Sequence, residues 1–139
     1  MKRQRYIYLL AEAIILAAVA LLAFTALKQE YLFGWLAHNW SFYLLLSLIA
    51  LLLNLFKKDI VSIFMTAGIA VGVFVGNYLG KYIVMLNEGK ITEDMRAEDI
   101  WRLRHHPGFE LWIAMNFVFL VAGVLVQLFF ARKIKKSAL

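Results

Sequence analysis

Cysteine is absent from the 139 residues, and proline occurs once, as Pro107. The lack of cysteine excludes disulfides, thiolate metal sites and cysteine nucleophiles. The sequence also has no HExxH metal motif, no glycine-rich phosphate loop and no serine in a tight glycine turn. We therefore expect a protein that is not an enzyme and that has neither a cofactor nor a bound metal.

Hydrophobic residues make up 63% of the chain, well above the roughly 45–50% of soluble domains. They form four blocks, at about residues 6–27, 36–56, 60–86 and 109–130. A helix needs about 20 residues to cross the hydrocarbon core. Because the backbone in lipid must satisfy its own hydrogen bonds, each block predicts a helix. We expect one membrane domain over residues 1–139, an all-α four-transmembrane-helix bundle.

Basic residues are concentrated on one side of this topology, where Asp59 is the one acidic residue. The positive-inside rule then places both termini in the cytoplasm. We expect an integral protein of a bacterial cytoplasmic membrane. The same placement explains the net charge of +6 without a nucleic-acid partner. These basic residues are Lys2, Arg3, Arg5, Lys57, Lys58, Arg132, Lys133, Lys135 and Lys136.

The long outer loop predicts one further helix, at about residues 93–104. Thr92 is a plausible N-cap. Acidic residues follow in the first turn, and Arg102 and Arg104 lie in the last, as the helix dipole favours. We expect a short helix at the outer membrane surface that joins the third and fourth spans.

The third span contains a glycine ladder, Gly68, Gly72, Gly76 and Gly80. Glycines at this spacing let a second helix backbone approach closely. The ladder has three interpretations: close packing inside one molecule, association with a second copy or a partner membrane protein, and approach to a ligand or lipid.

Glu12 is the only charged residue within the first span. An ionised carboxylate at this depth costs several kcal/mol unless it is paired or hydrated. It predicts either a cation or proton site or a neutral side chain that hydrogen-bonds neighbouring helices. At comparable depth we expect an intramembrane polar cluster of Glu12, Asn54, Ser62, Thr66 and Gln127.

The stretch YIYLLAEAIIL around Glu12 resembles the opening of the small multidrug resistance transporters, which are four-helix proteins with a glutamate in the first span. The resemblance covers about one span, and Glu12 is the only functional residue that it carries over. The long outer loop and the strong charge bias depart from that family, so the chain is not assigned to it.

The stretch RHHPGFELW, residues 104–112, raises the question of an outer site. On a helix His106 and Glu110 share a face, and His38 lies on the same side. Metal binding, lipid chemistry and pH sensing are alternatives to a structural interpretation, in which His106 and Pro107 begin the fourth span. The outer-face candidates are His38, His105, His106 and Glu110.

Two function classes follow from these features. The first is a non-enzymatic accessory subunit of a membrane complex that associates through the glycine ladder. The second is a small homo-oligomeric transporter or channel that uses Glu12. Membrane lipids and either a second copy or a partner membrane protein are the expected partners.

Overall fold

The structure, a computed structural model, describes residues 2–139, and every regular element in that range is a helix. The prediction of an all-helical protein is therefore confirmed. Three helices are each long and apolar enough to cross a membrane: α1, α4 and α6. The helices are α1 (Lys2–Phe24), α2 (Tyr31–His38), α3 (Trp40–Leu55), α4 (Asp59–Glu88), α5 (Ala97–Arg104) and α6 (Gly108–Ser137).

The second predicted span is broken into α2 and α3, which meet at an angle of 88°. At the break, the backbone N–H and the side-chain amide of Asn39 both donate to the carbonyl of Trp35, at 2.8 and 3.0 Å. These bonds close the end of α2, so the prediction of one helix over residues 36–56 is wrong at its start. A fourth spanning segment exists only if the bent α2–α3 pair counts as one.

Two other predicted boundaries are wrong. Helix α1 ends at Phe24 rather than near residue 27, and the Thr25 hydroxyl donates to the carbonyl of Leu21 at 2.6 Å as the chain turns. The outer helix α5 begins after Arg96 and not after Thr92. Glu98 and Asp99 then occupy its first turn, where the positive end of the helix dipole favours acids.

Helix α4 contacts every other helix of the described chain, whereas α6 contacts only α4 and α2. Two ends of the molecule can be defined from the order of the helices. The basic end comprises residues 2–5, 56–60 and 128–137, and the loop end comprises residues 25–39 and 81–107.

Candidate functional site

Glu12 is buried where α1 meets α3 and α4, with 4% of the residue exposed. The Asn54 amide of α3 donates to Glu12 Oε1 at 3.3 Å, and Ser62 Oγ of α4 lies 2.5 Å from Oε2. Three helices are therefore joined through one carboxyl group. The structure brings together the acid, the amide and the hydroxyl that the sequence placed at similar depth.

The single hydrogen of the Ser62 hydroxyl bears on whether the Glu12 carboxyl is protonated. Ser62 Oγ also lies 2.7 Å from the carbonyl oxygen of Ala50. A serine hydroxyl has one hydrogen, so it cannot donate to both oxygens. Both hydrogen bonds form together when the Glu12 carboxyl is protonated. Its O–H then donates to Ser62 Oγ, and the Ser62 hydroxyl donates to the Ala50 carbonyl oxygen.

The other two residues of the predicted cluster differ in their placement. Thr66 is 2% exposed, and its Oγ1 has no hydrogen-bond partner among the described residues. Gln127 lies on α6, which does not contact α1 in the described chain. Its Oε1 accepts from the backbone N–H of Ile60 at 3.2 Å, in the first turn of α4. Including Gln127 in the cluster was wrong, because depth alone does not fix which helix face a residue shares.

The glycine ladder packs within the molecule. A Cβ atom added at Gly76 would lie 2.6 Å from the carbonyl oxygen of Gly108, and one at Gly72 would lie 3.0 Å from the Trp112 ring. A Cβ added at Gly68 would lie 2.8 Å from Phe119. Helix α6 of the same chain therefore occupies the ladder, as the first interpretation predicts. In this structure the ladder is not free to bind another protein.

At the loop end, a second buried amide joins two helices. Asn77 of α4 is fully buried; its Oδ1 accepts from the Leu32 N–H at 3.0 Å, and its Nδ2 donates to Glu30 Oε2 at 2.9 Å. The bond from Asn77 is the main cause that lowers the pKa of Glu30, and the charge of Lys81 adds to it. The sequence pattern did not predict this contact. The available signal was an acidic residue, Glu30, directly before Tyr31, the aromatic residue that begins α2.

The predicted pair of His106 and Glu110 is wrong: Glu110 Oε1 lies 2.7 Å from Nε2 of His105 instead. His106 Nδ1 accepts from the Gly108 N–H at 3.0 Å, so His106 caps the start of α6, as the structural interpretation predicts. Its ring stacks on Tyr31 with centroids 4.1 Å apart. Burial, followed by the charge of neighbouring His105, lowers the pKa of His106.

His38 is exposed at the end of α2. Within residues 2–139, no group of three or more His, Cys, Asp or Glu side chains could hold a metal ion. The two adjacent histidines thus have separate surroundings, and the histidine–glutamate contact is one exposed pair.

A groove of about 330 Å³ opens sideways between α1 and α3. Its wall on α1 includes Ala13, Ala17 and Ala20, and its wall on α3 includes Tyr43 and Ser47. The Tyr43 hydroxyl donates to the Leu16 carbonyl at 2.6 Å. Ser47 is 6% exposed, and its Oγ has no partner among the described residues. We refer to this feature as the α1–α3 groove.

Comparison with known proteins adds no relative: no protein-family model, curated protein or solved structure matches the chain.

Proposed function

We propose that the protein is a non-enzymatic accessory subunit of a membrane complex and that it binds a transmembrane helix of a partner in the α1–α3 groove. In this proposal it spans a bacterial cytoplasmic membrane four times, with α2 and α3 forming one bent span and both termini in the cytoplasm. The basic residues of the basic end support that orientation. The α1–α3 groove is the observation that carries the proposal.

The chemistry of the α1–α3 groove suits a helix. Ala13, Ala17 and Ala20 lie on one face of α1, and small residues let another helix backbone come close in lipid. The lining of the α1–α3 groove is almost wholly apolar, which suits the apolar surface of a transmembrane helix.

The alternative function, a transporter or channel that uses Glu12, is favoured by one observation, the buried carboxyl with its polar neighbours. Against it stands a layer of fully buried apolar side chains between Thr66 and Asn77 along α4, including Ile69 and Val73. A cation or proton moving between the ends would have to pass this layer. We therefore rank the alternative second.

The absence of cysteine makes a direct test simple, since Ala17→Cys introduces the only thiol of the chain. The variant is purified in mild detergent with its associated proteins, treated with a short thiol crosslinker, and the mass of the native assembly is measured. Val118→Cys is the matched control, because Val118 is 60% exposed on α6, away from the groove. We expect one defined partner, in fixed stoichiometry, crosslinked from position 17 and not from position 118.

Two results would contradict this proposal. A monomer with no crosslink from position 17 would exclude a partner in the α1–α3 groove. A homodimer whose ion flux in vesicles is lost in Glu12→Gln would establish the transporter alternative instead.

A further inference from the structure

The packing of α4 against α6 indicates which part of α4 would lie within a membrane. The helices run antiparallel: the glycines Gly80 and Gly108 lie at one end of the seam, and Ile60 bonds to Gln127 at the other. The stretch from Ile60 to Gly80 rises about 30 Å at about 1.5 Å per residue, which equals the hydrocarbon thickness of a bilayer. Residues 81–88 of α4 therefore project past the start of α6, to the level of the lipid headgroups.

A groove of about 480 Å³ lies at this level on the side of α4. It combines aromatic and apolar side chains with three polar groups, and we call it the headgroup groove. It is lined by Tyr78, Lys81, Tyr82, Val84, Met85, Glu88 and His106.

His106 offers a hydrogen-bond donor in the headgroup groove. Its Nδ1 accepts from the Gly108 N–H, so in the neutral ring the hydrogen resides on Nε2. Within residues 2–139 the His106 ring makes its side-chain hydrogen bond through Nδ1 and not through Nε2. Stacking on Tyr31 at a centroid distance of 4.1 Å holds the ring in this orientation.

Lys81 adds a positive charge to the same groove. Its Nζ lies 3.5 Å from Glu30 Oε1, and 65% of the side chain is exposed. An exposed pair at that distance contributes little, so the ammonium can also bind a second anion. Lys81 and the Nε2–H of His106 together suit the oxygens of a phosphate group.

Glu88 supplies a negative charge at the other end of the headgroup groove. It lies in the last turn of α4, which contains no basic residue. A carboxylate at the negative end of a helix dipole is unfavourable by itself and attracts a cation. Two turns of helix separate it from Lys81, about 10 Å along the axis, with Val84 and Met85 between them.

We propose that the headgroup groove binds a phospholipid whose headgroup carries a primary ammonium, with the phosphate at Lys81 and His106 and the ammonium at Glu88. Tyr78 and Tyr82 then contact the glycerol region, where aromatic residues are favoured. The site is independent of the α1–α3 groove, which lies on other helices.

The test measures lipid bound to the purified full-length protein by native mass spectrometry, with phosphatidylethanolamine, phosphatidylcholine or phosphatidylglycerol added. We expect phosphatidylethanolamine to bind most tightly. Lys81→Gln should lower its affinity about fivefold, since one basic residue near a membrane surface contributes about 1 kcal/mol. Glu88→Gln should remove the preference for ethanolamine over choline. Both side chains are exposed, so neither change disturbs the packing.

Lys90→Gln is the matched control, because Lys90 is exposed nearby but does not line the headgroup groove. Inorganic phosphate is added in a separate arm, and competition by it at low concentration would identify free phosphate as the ligand. Equal binding of the three lipids, or equal losses in Lys81→Gln and Lys90→Gln, would overturn the proposal. Loss of the ethanolamine preference in Glu88→Gln alone would support the ammonium subsite.

Discussion

Two faces of α4 contact the rest of the molecule by different means. The face toward α6 is made of glycines, and the distance between the backbones is set by shape. The face toward α1, α2 and α3 carries Ser62 and Asn77, and there side-chain hydrogen bonds fix the partners. The glycine face tolerates no added atoms, whereas the polar face tolerates no lost donor or acceptor.

This difference fits the membrane location that the long apolar helices suggest. In lipid the hydrophobic effect does not drive helices together, so close backbone packing and hydrogen bonds replace it. Helix α4 uses one of these on each face, which lets a single helix contact all the others. The two faces should therefore respond to opposite kinds of substitution.

The largest effect is expected from adding bulk to the glycine face. Gly76→Leu places side-chain atoms where the Gly108 carbonyl oxygen lies, 2.6 Å from a Cβ. We expect a loss of about 2–3 kcal/mol, because backbone and not a flexible side chain must move. Thermal unfolding in detergent measures it. Val71→Leu is the control, since Val71 is 46% exposed on the same helix. An equal loss of stability in that variant would contradict a specific role for close packing between α4 and α6.

On the polar face, removing the carboxyl of Glu12 should have the next largest effect. Glu12→Leu leaves the Asn54 amide and the Ser62 hydroxyl without their shared partner, a cost of about 1–3 kcal/mol for buried polar groups. Glu12→Gln keeps an acceptor for Asn54 and a donor for Ser62, so we expect less than about 1 kcal/mol. Equal losses in the two variants, measured by the same unfolding assay, would contradict the hydrogen-bonded arrangement.

The contrast between the faces also explains what could be predicted from sequence. Long apolar runs predict helices whatever their partners, and the 3.6-residue period brings Glu12, Asn54 and Ser62 to facing surfaces. The partner of a face is not encoded locally: the glycine ladder predicted close approach but not that α6 of the same chain would occupy it. The bend at Asn39 depends on two hydrogen bonds to the Trp35 carbonyl, which no local pattern predicts. Gln127 was placed in the wrong cluster because the sequence does not show which helices are neighbours.

A smaller effect is expected at the loop end of the polar face. Asn77→Leu removes the acceptor for the Leu32 N–H and the donor to Glu30. We expect about 1–2 kcal/mol, expressed as faster amide hydrogen exchange across α2, while exchange at Asn54 and its neighbours is unchanged. Asn87→Leu, at the loop end of the same helix, is the control. Uniformly faster exchange in all helices would show that Asn77 supports the whole fold and not α2.

The smallest effect concerns His106, whose ring lies against Gly80 at the loop end of the glycine face. Its neutral ring accepts from the Gly108 N–H, and protonation removes that acceptor. Because its pKa is lowered from 6.5, the unfolded chain binds the proton more readily, so stability should rise with pH up to about 6.5 and fall as pH drops toward the folded-state pKa. Lys81 and His105 oppose protonation, whereas Glu30 and Glu110 favour it. His106→Gln should flatten the profile below about pH 6.5, as measured by unfolding in detergent. A profile that is unchanged in His106→Gln would contradict this role of His106.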